Sequence, residues 1–138
     1  MSSSRREARE RALGLLYEAE ARGVAPDEVL ADLPVAPDPY TTDLVEGVAA
    51  HLDEIDRLLS TYARDWKLER MPAIDRALLR LGTFELMARP DVPTGVAIAE
   101  AVALASEYST DESGRFVNGL MSRISREVRP ADGGSVRS

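Results

Sequence analysis

The chain contains no cysteine in 138 residues, which excludes a disulfide framework, a thiolate metal site and a cysteine nucleophile. A single histidine, His51, leaves no second imidazole for a histidine-rich metal site. Aromatic residues make up only 5% of the chain, so the core must be built from Leu, Ala, Val and Ile. No apolar run approaches the ~20 residues needed to span a bilayer. The N-terminal arginines are not followed by the uninterrupted apolar stretch of a signal peptide. A cytoplasmic protein without a membrane partner is therefore expected. Strand signals are almost absent, with no sustained alternation and no Asn-Gly or Asp-Gly hairpin. Gly14, Gly23, Gly47, Gly82 and Gly95 are isolated, so no glycine-rich phosphate loop and no cofactor are expected.

What is present fits one helical domain over residues 1–130, followed after Pro130 by a tail, 131–138, expected to be disordered. Hydrophobic residues are 44% of the chain, enough to bury a sizeable core. Net charge is −7, which at first argues against a nucleic-acid partner. Its distribution changes that reading. Residues 1–22 carry five Arg against four acids, residues 23–63 one Arg against nine acids, and residues 64–138 eleven of each sign. The acidity belongs to one stretch, and a basic surface elsewhere remains compatible with it.

Helical spacing runs throughout. The first helix is expected after Ser4 as N-cap and ends at Gly23; a short one begins at Pro26. The stretch from Pro34 to Pro39 reads as a loop. A pattern from Tyr40 to Tyr62 breaks near Asp53 if that residue caps internally, and Trp66 to Met71 connects to a helix opened by Pro72 and closed before Pro90. Two more helices cover Thr94 to Tyr108 and Ser113 to about Val128, six or seven in all.

Two helices carry extra information. In the one after Pro72, Ile74, Ala77, Leu78, Leu81, Phe84 and Ala88 form one stripe, and Leu79 and Leu86 another. A helix apolar on two sides is packed on two sides, so this one should be central. Glu85 falls inside the first stripe, where a bare carboxylate is costly. A structural carboxylate satisfied by a buried Arg, Tyr or backbone donor is the expected solution. In the first helix, Ala8, Ala12, Leu15, Leu16 and Ala19 form the core stripe, and nearly opposite lie Arg6, Arg9, Leu13 and Tyr17. Guanidiniums in line with an aromatic ring suit single-stranded RNA, with cations for phosphate and a π-face for a base. A helix packed on both sides produces the same spacing.

No catalytic constellation emerges. His51 lies between Ala50 and Leu52 with no G-x-S-x-G element anywhere, and Asp53, Glu54 and Asp56 point in different directions from one turn. The residues describe a binding protein, not an enzyme.

Several ordered blocks carry a resemblance. Arg5-Arg6-Glu7-Ala8-Arg9 leads to Ala12 and Leu16-Tyr17; Tyr40 is followed by Leu44-Val45-Glu46-Gly47-Val48, His51 and Ile55-Asp56. Trp66-Lys67-Leu68-Glu69-Arg70 precedes Ile74-Asp75-Arg76-Ala77-Leu78-Leu79-Arg80-Leu81 and Glu85-Leu86. Val92-Pro93, Val96-Ala97-Ile98, Glu100-Ala101-Val102 and Phe116-Val117-Asn118-Gly119 complete the series. In this order and spacing, over about residues 5–130, the chain resembles the transcription antitermination factor NusB family.

That resemblance implies an all-α fold, a compact bundle of about seven helices in two antiparallel helical subdomains. It implies non-catalytic binding to the boxA element of ribosomal RNA leader transcripts together with NusE, the ribosomal small-subunit protein. Within the transcription elongation complex, this helps RNA polymerase read through terminators. Carried over singly, the RNA surface takes Arg5, Arg6 and Arg9 from the opening helix, Tyr17, and Phe116 and Asn118 from the F-V-N-G block. On the helical wheel Phe116 joins the Leu120 and Ile124 core stripe, whereas Asn118 shares a polar face with Arg115, Ser122, Arg126 and Arg129, which makes Arg115 and Asn118 the better contacts. The acidic position facing NusE corresponds to Asp75, with Arg76 adjacent. Departures are Ala99 in place of the usual amide of the I-N-E-A block, Ser106 where a lysine is common, and Glu112 before the last helix. Two alternatives stand beside this reading. One is an RNA-binding accessory domain like those of ribosomal RNA methyltransferases, of which a chain ending at Ser138 would not be a complete example. The other is a homodimeric helical scaffold whose RNA surface is occluded.

Overall fold

Ser4 starts the first helix by a reciprocal cap. Its hydroxyl accepts from the Glu7 amide at 3.1 Å, and the Glu7 carboxylate accepts from the Ser4 amide at 3.0 Å. In the computed structural model, which describes residues 4–64 and 66–130, the elements are α1 (Arg5–Arg22), α2 (Pro26–Asp32), α3 (Pro39–Ala50), α4 (Leu52–Ala63), a 3₁₀ turn at Leu68–Arg70, α5 (Ala73–Ala88), α6 (Thr94–Tyr108) and α7 (Asp111–Val128). Helix α1 closes at Gly23, whose φ of 70° lets its amide reach back to the Ala19 and Glu20 carbonyls. The fold is all-α, as the spacing predicts, with no strand among the described residues. The expected tail, 131–138, lies outside them.

Three boundaries differ from the sequence expectation. The break between α3 and α4 falls at His51, not Asp53. His51 leaves helical geometry at φ −114°, ψ 19°, yet its amide still reaches Gly47 and its carbonyl still serves Ile55, so the hydrogen-bond ladder passes through the kink. Asp53 instead sits in the first turn of α4, where the helix dipole favours an anion. Pro39 is the first residue of α3 rather than the end of a loop, with Asp38 accepting from the Tyr40 amide at 2.9 Å. Helix α7 starts at Asp111 because Thr110, not a later residue, caps it by accepting from the Ser113 amide at 2.9 Å.

Helix α5 is the axis of the molecule. Ten of its residues are buried, including both expected apolar stripes apart from Ile74, which is half-buried, and Ala88, which is exposed. Helices α1 and α3 cover one side, α6 and α7 the other, and α4 closes the bundle against α5 and α7. The helices α1–α3 and α4–α7 thus form two packed groups, and one continuous apolar cluster joins them. Pairing of Arg9 with Glu85 and of Arg76 with Glu20 shows that α1 and α5 run antiparallel. The end of α5 is fixed by Arg129, whose guanidinium donates to the carbonyls of Glu85, Leu86, Arg89 and Val92 and to the Thr94 hydroxyl, at 2.7–3.1 Å. No helix among the described residues is long and apolar enough to cross a membrane.

Close approach of α3 to α5 depends on Gly47, where an added Cβ would lie 2.1 Å from the Phe84 ring. Gly47→Ala should therefore destabilise by about 1–3 kcal/mol through overpacking. Gly14→Ala, at an exposed position of α1 with nothing within 4 Å, should stabilise by ~0.4–1 kcal/mol. Leu78→Ala, at a side chain 1% exposed, should cost ~2–5 kcal/mol. Urea denaturation of the three variants checks the packing; equal effects of the two glycine substitutions, or a Leu78→Ala loss below about half a kcal/mol, would refute it.

Candidate nucleic-acid interface

The arginines that open α1 do not share one fate. Arg9 is 3% exposed, and its Nε donates to both oxygens of Glu85 at 3.0 Å, while Nη1 reaches Glu100 at 3.4 Å. The Tyr40 hydroxyl donates to the same Glu85 carboxylate. Glu85 is thus the satisfied structural carboxylate that its place in an apolar stripe demands. Burial first, and then the hydrogen bond to Glu85, hold the Tyr40 phenol well above its ordinary range. The Tyr40 ring lies between two guanidiniums, Arg5 at 4.2 Å and Arg89 at 4.7 Å from its centroid. Arg89 also pairs with Asp43 and with Asp91, whose carboxyl is lowered to about 2 chiefly by the Arg89 hydrogen bond.

This geometry corrects the expectation for Arg9. A guanidinium buried against two carboxylates is not offered to a phosphate, and Leu13, next along the same line, is 2% exposed. The α1 spacing is that of a helix packed on both sides over its middle. Arg5 and Arg6, by contrast, keep about half their side-chain surface exposed in pairs with Asp91 at 3.1 Å and Glu100 at 2.7 Å. Exposed pairs of this kind are worth only ~0–1 kcal/mol, so both guanidiniums remain exchangeable.

The remaining candidates gather around the opposite end of α5. Tyr17 is 45% exposed, on the α1 face that carries Glu10, bonded to Tyr108 at the end of α6, and Glu20, bonded to Arg76. Arg115 and Asn118 are exposed on α7. Phe116 is half-buried, its ring 5.7 Å from that of Trp66. A cleft of about 610 Å³ opens between the 66–72 connector and the start of α7, lined by Trp66, Arg70, Asp75, Arg115 and Phe116 among others.

Asp75 and Arg76, expected to face a partner, are both tied into the fold. Arg76 donates through Nε to Glu20 and through Nη1 to the carbonyls of Leu68 and Met71, which secures the connector; its donors are committed, and this corrects its expected role as a partner contact. Asp75 is 4% exposed and accepts from the Ser113 hydroxyl at 2.8 Å with one oxygen, while its Oδ1 has no hydrogen-bond partner among the described residues. Sequence reasoning gives Arg129 and Trp66 no site role: Arg129, on a polar face of the helical wheel, turns inward, and Trp66 belongs to a connector and to one of the blocks that carry the resemblance.

The molecule is therefore a helical bundle that keeps aromatic and cationic side chains free at one end of its central helix. The NusB family model matches residues 6–126. A transcription antitermination protein NusB from Kineococcus radiotolerans is 54% identical over 126 residues, covering 88% of this chain and 93% of that protein. The solved structure of T. maritima NusB superposes with a TM-score of 0.86 at 33% identity, covering 98% of this chain and 99% of that one. A NusB solved with NusE and double-stranded RNA gives a TM-score of 0.72 at 28% identity, covering 89% and 96%. The chain belongs to the NusB family.

Arg9→Met should destabilise by about 3–5 kcal/mol because it strands the Glu85 charge. Adding Glu85→Leu should restore part of that loss, since the unpaired charge is then gone. A double variant no more stable than Arg9→Met in urea titration would show that the pair is not the origin of the loss. The Tyr40 shift carries a sign as well. Its folded pKa is raised, so its contribution is complete below the unfolded value of about 10 and is lost as pH rises beyond it. Stability should fall above about pH 10, and Tyr40→Phe should lessen that fall; an unchanged alkaline slope would contradict the assignment.

Proposed function

We propose that the chain acts as a bacterial transcription antitermination factor that binds the boxA element of ribosomal RNA leaders together with NusE. It works by recognition rather than catalysis, in the cytoplasm, as one component of the elongation complex. The observation that carries this reading is the set of exposed side chains at one end of the bundle, Tyr17, Arg115 and Asn118, that have no partner among the described residues, in a chain of net charge −7. The similar fold that was solved with NusE and RNA supports it. Single-stranded RNA requires cations for the backbone and π-faces for bases, and both are present. Arg5 and Arg6 lie toward the other end of α5, half exposed and paired with Asp91 and the partly buried Glu100, and are proposed as a separate cationic contact for a longer RNA, whereas Arg9 acts by holding α1 in place. Asp75, with one oxygen lacking a donor beside the cleft, is the anionic contact proposed for a basic group of NusE.

Fluorescence anisotropy of boxA-type RNA at graded salt tests the assignment. Arg6→Ala and Arg115→Gln should each weaken binding and flatten the slope of log K against log salt by about 0.7 if each meets one phosphate. Circular dichroism should show unchanged helix content. Asp75→Asn should weaken NusE binding more than RNA binding by the isolated protein. Unaltered affinity and slope in both arginine variants would move the RNA to another face, and equal loss of both partners in Asp75→Asn would remove Asp75 from the protein interface.

A further inference from the structure

Trp66 is the chain's only tryptophan, and it is 52% exposed. Its position is set by the backbone. The chain leaves α4 through Arg64, at φ 61° the only non-glycine residue with positive φ among those described. The Trp66 amide then donates to the Ala63 carbonyl at 3.3 Å. The indole lies against Phe116 of α7, ring centroids 5.7 Å apart and planes inclined by 50°. Phe116 thus braces the indole in a tilted contact, while about half of Trp66 stays exposed beside the cleft of about 610 Å³ that it helps line. Arg70 and Arg115 line that cleft, Lys67 follows Trp66, and all three are exposed without an ion pair among the described residues. The acids nearby are Asp75, which lines the cleft but is buried against Ser113, and the exposed Glu69, Asp111 and Glu112, so the local charge is mixed and the cations act by position rather than by number.

We infer that Trp66, braced by Phe116, is a base-stacking platform that holds an unpaired nucleobase of the bound RNA, with Arg70 and Arg115 on the adjoining phosphates. This deepens the RNA-binding reading above and rests on it. An aliphatic anchor from a protein would fill the cleft but would leave the guanidiniums unused. A nucleotide engages a π-face and a cation at once. Every base offers a π-face, so the platform is tolerant of sequence and adds affinity and register rather than readout. Its place at the mouth of the cleft extends the surface formed by Arg115 and Asn118 on α7 onto the connector.

The single tryptophan supplies the test. Emission of Trp66 is titrated with a single-stranded boxA-type RNA, while anisotropy of a label at the RNA terminus reports binding independently. The same RNA carrying abasic nucleotides serves as a second probe. Stacking predicts strong quenching by the intact RNA and little by the abasic one. Trp66→Ala should lower affinity by about 5- to 100-fold at an unchanged salt slope, because stacking involves no counterion, and Trp66→Phe should recover most of it. Arg70→Gln should instead flatten the slope. RNA that binds by anisotropy without altering the emission, and equally to Trp66→Ala, overturns the platform and leaves the RNA-binding reading standing. Emission that responds to NusE alone and not to RNA overturns it in favour of a protein dock. No binding by anisotropy at low salt overturns both.

Discussion

A single buried carboxylate sets the geometry on which the bundle depends. Glu85 lies buried near the C-terminal end of the most enclosed helix, where water cannot solvate it, so its partners must come from the helices packed around it. Arg9 comes from α1 and Tyr40 from α3, and Arg9 extends the cluster to Glu100 of α6. One charge therefore fixes the rotation of α1 and the approach of α3 and α6 to α5. Such a cluster adds little net stability over an apolar replacement, because desolvation offsets most of the attraction. Its effect is on register. With Arg9 turned inward, the residue eight positions on is rotated by about 80° in a regular helix. That is why Tyr17 reaches the surface although Leu13, between them, does not.

The same economy governs the charges. Arg5, Arg6, Arg9, Arg22, Arg76, Arg80 and Arg89 are each bridged to a carboxylate. Arg129 is spent on backbone carbonyls. An acidic chain thus commits half of its sixteen arginines to holding the fold together. Among the described residues, the cations without an ion pair include Lys67 and Arg70 on the connector and Arg115 on α7, beside the aromatic residues. Net charge describes the long-range field, whereas affinity for a polyanion depends on which cations stay unneutralised within a Debye length, ~8–10 Å.

Much of the fold was legible because it follows from periodicity and punctuation. The Ser4 cap, the Pro26 start and the two-sided apolar pattern of α5 each have one structural solution, and each is found. Glu85 announced its need for partners by sitting among leucines. The sites were harder to read because wheel geometry places residues on a face without saying what covers that face. Arg6, Arg9, Leu13 and Tyr17 share a line, yet α5 and its neighbours cover the middle of the line and leave the ends open. Arg129 looks solvated at the end of α7 and is instead held, half-buried, against the carbonyls at the end of α5. The turn at His51 carries no glycine or proline, so no local signal marked it. Trp66 had no periodic neighbours at all; its exposure depends on a backbone reversal at Arg64 that composition does not encode.

The two ends of α5 differ in how completely their polar groups are satisfied. At the C-terminal end, Arg129 closes the open carbonyls and Arg9 and Tyr40 occupy Glu85, so little is left for a ligand to complete. At the N-terminal end, Asp75 retains an oxygen without a donor, beneath the hydroxyls of Ser109, Thr110 and Ser113. The other buried atom without a partner, Thr83 Oγ1, belongs to a neutral hydroxyl. A buried group left unpaired costs ~1–3 kcal/mol, and more when charged, a cost that a partner's donor can remove on binding. Saturation at one end gives the helix its fixed position. Incompleteness at the other leaves free energy to be gained on association, where the exposed tyrosine, the tryptophan–phenylalanine pair and the unpaired cations are also found.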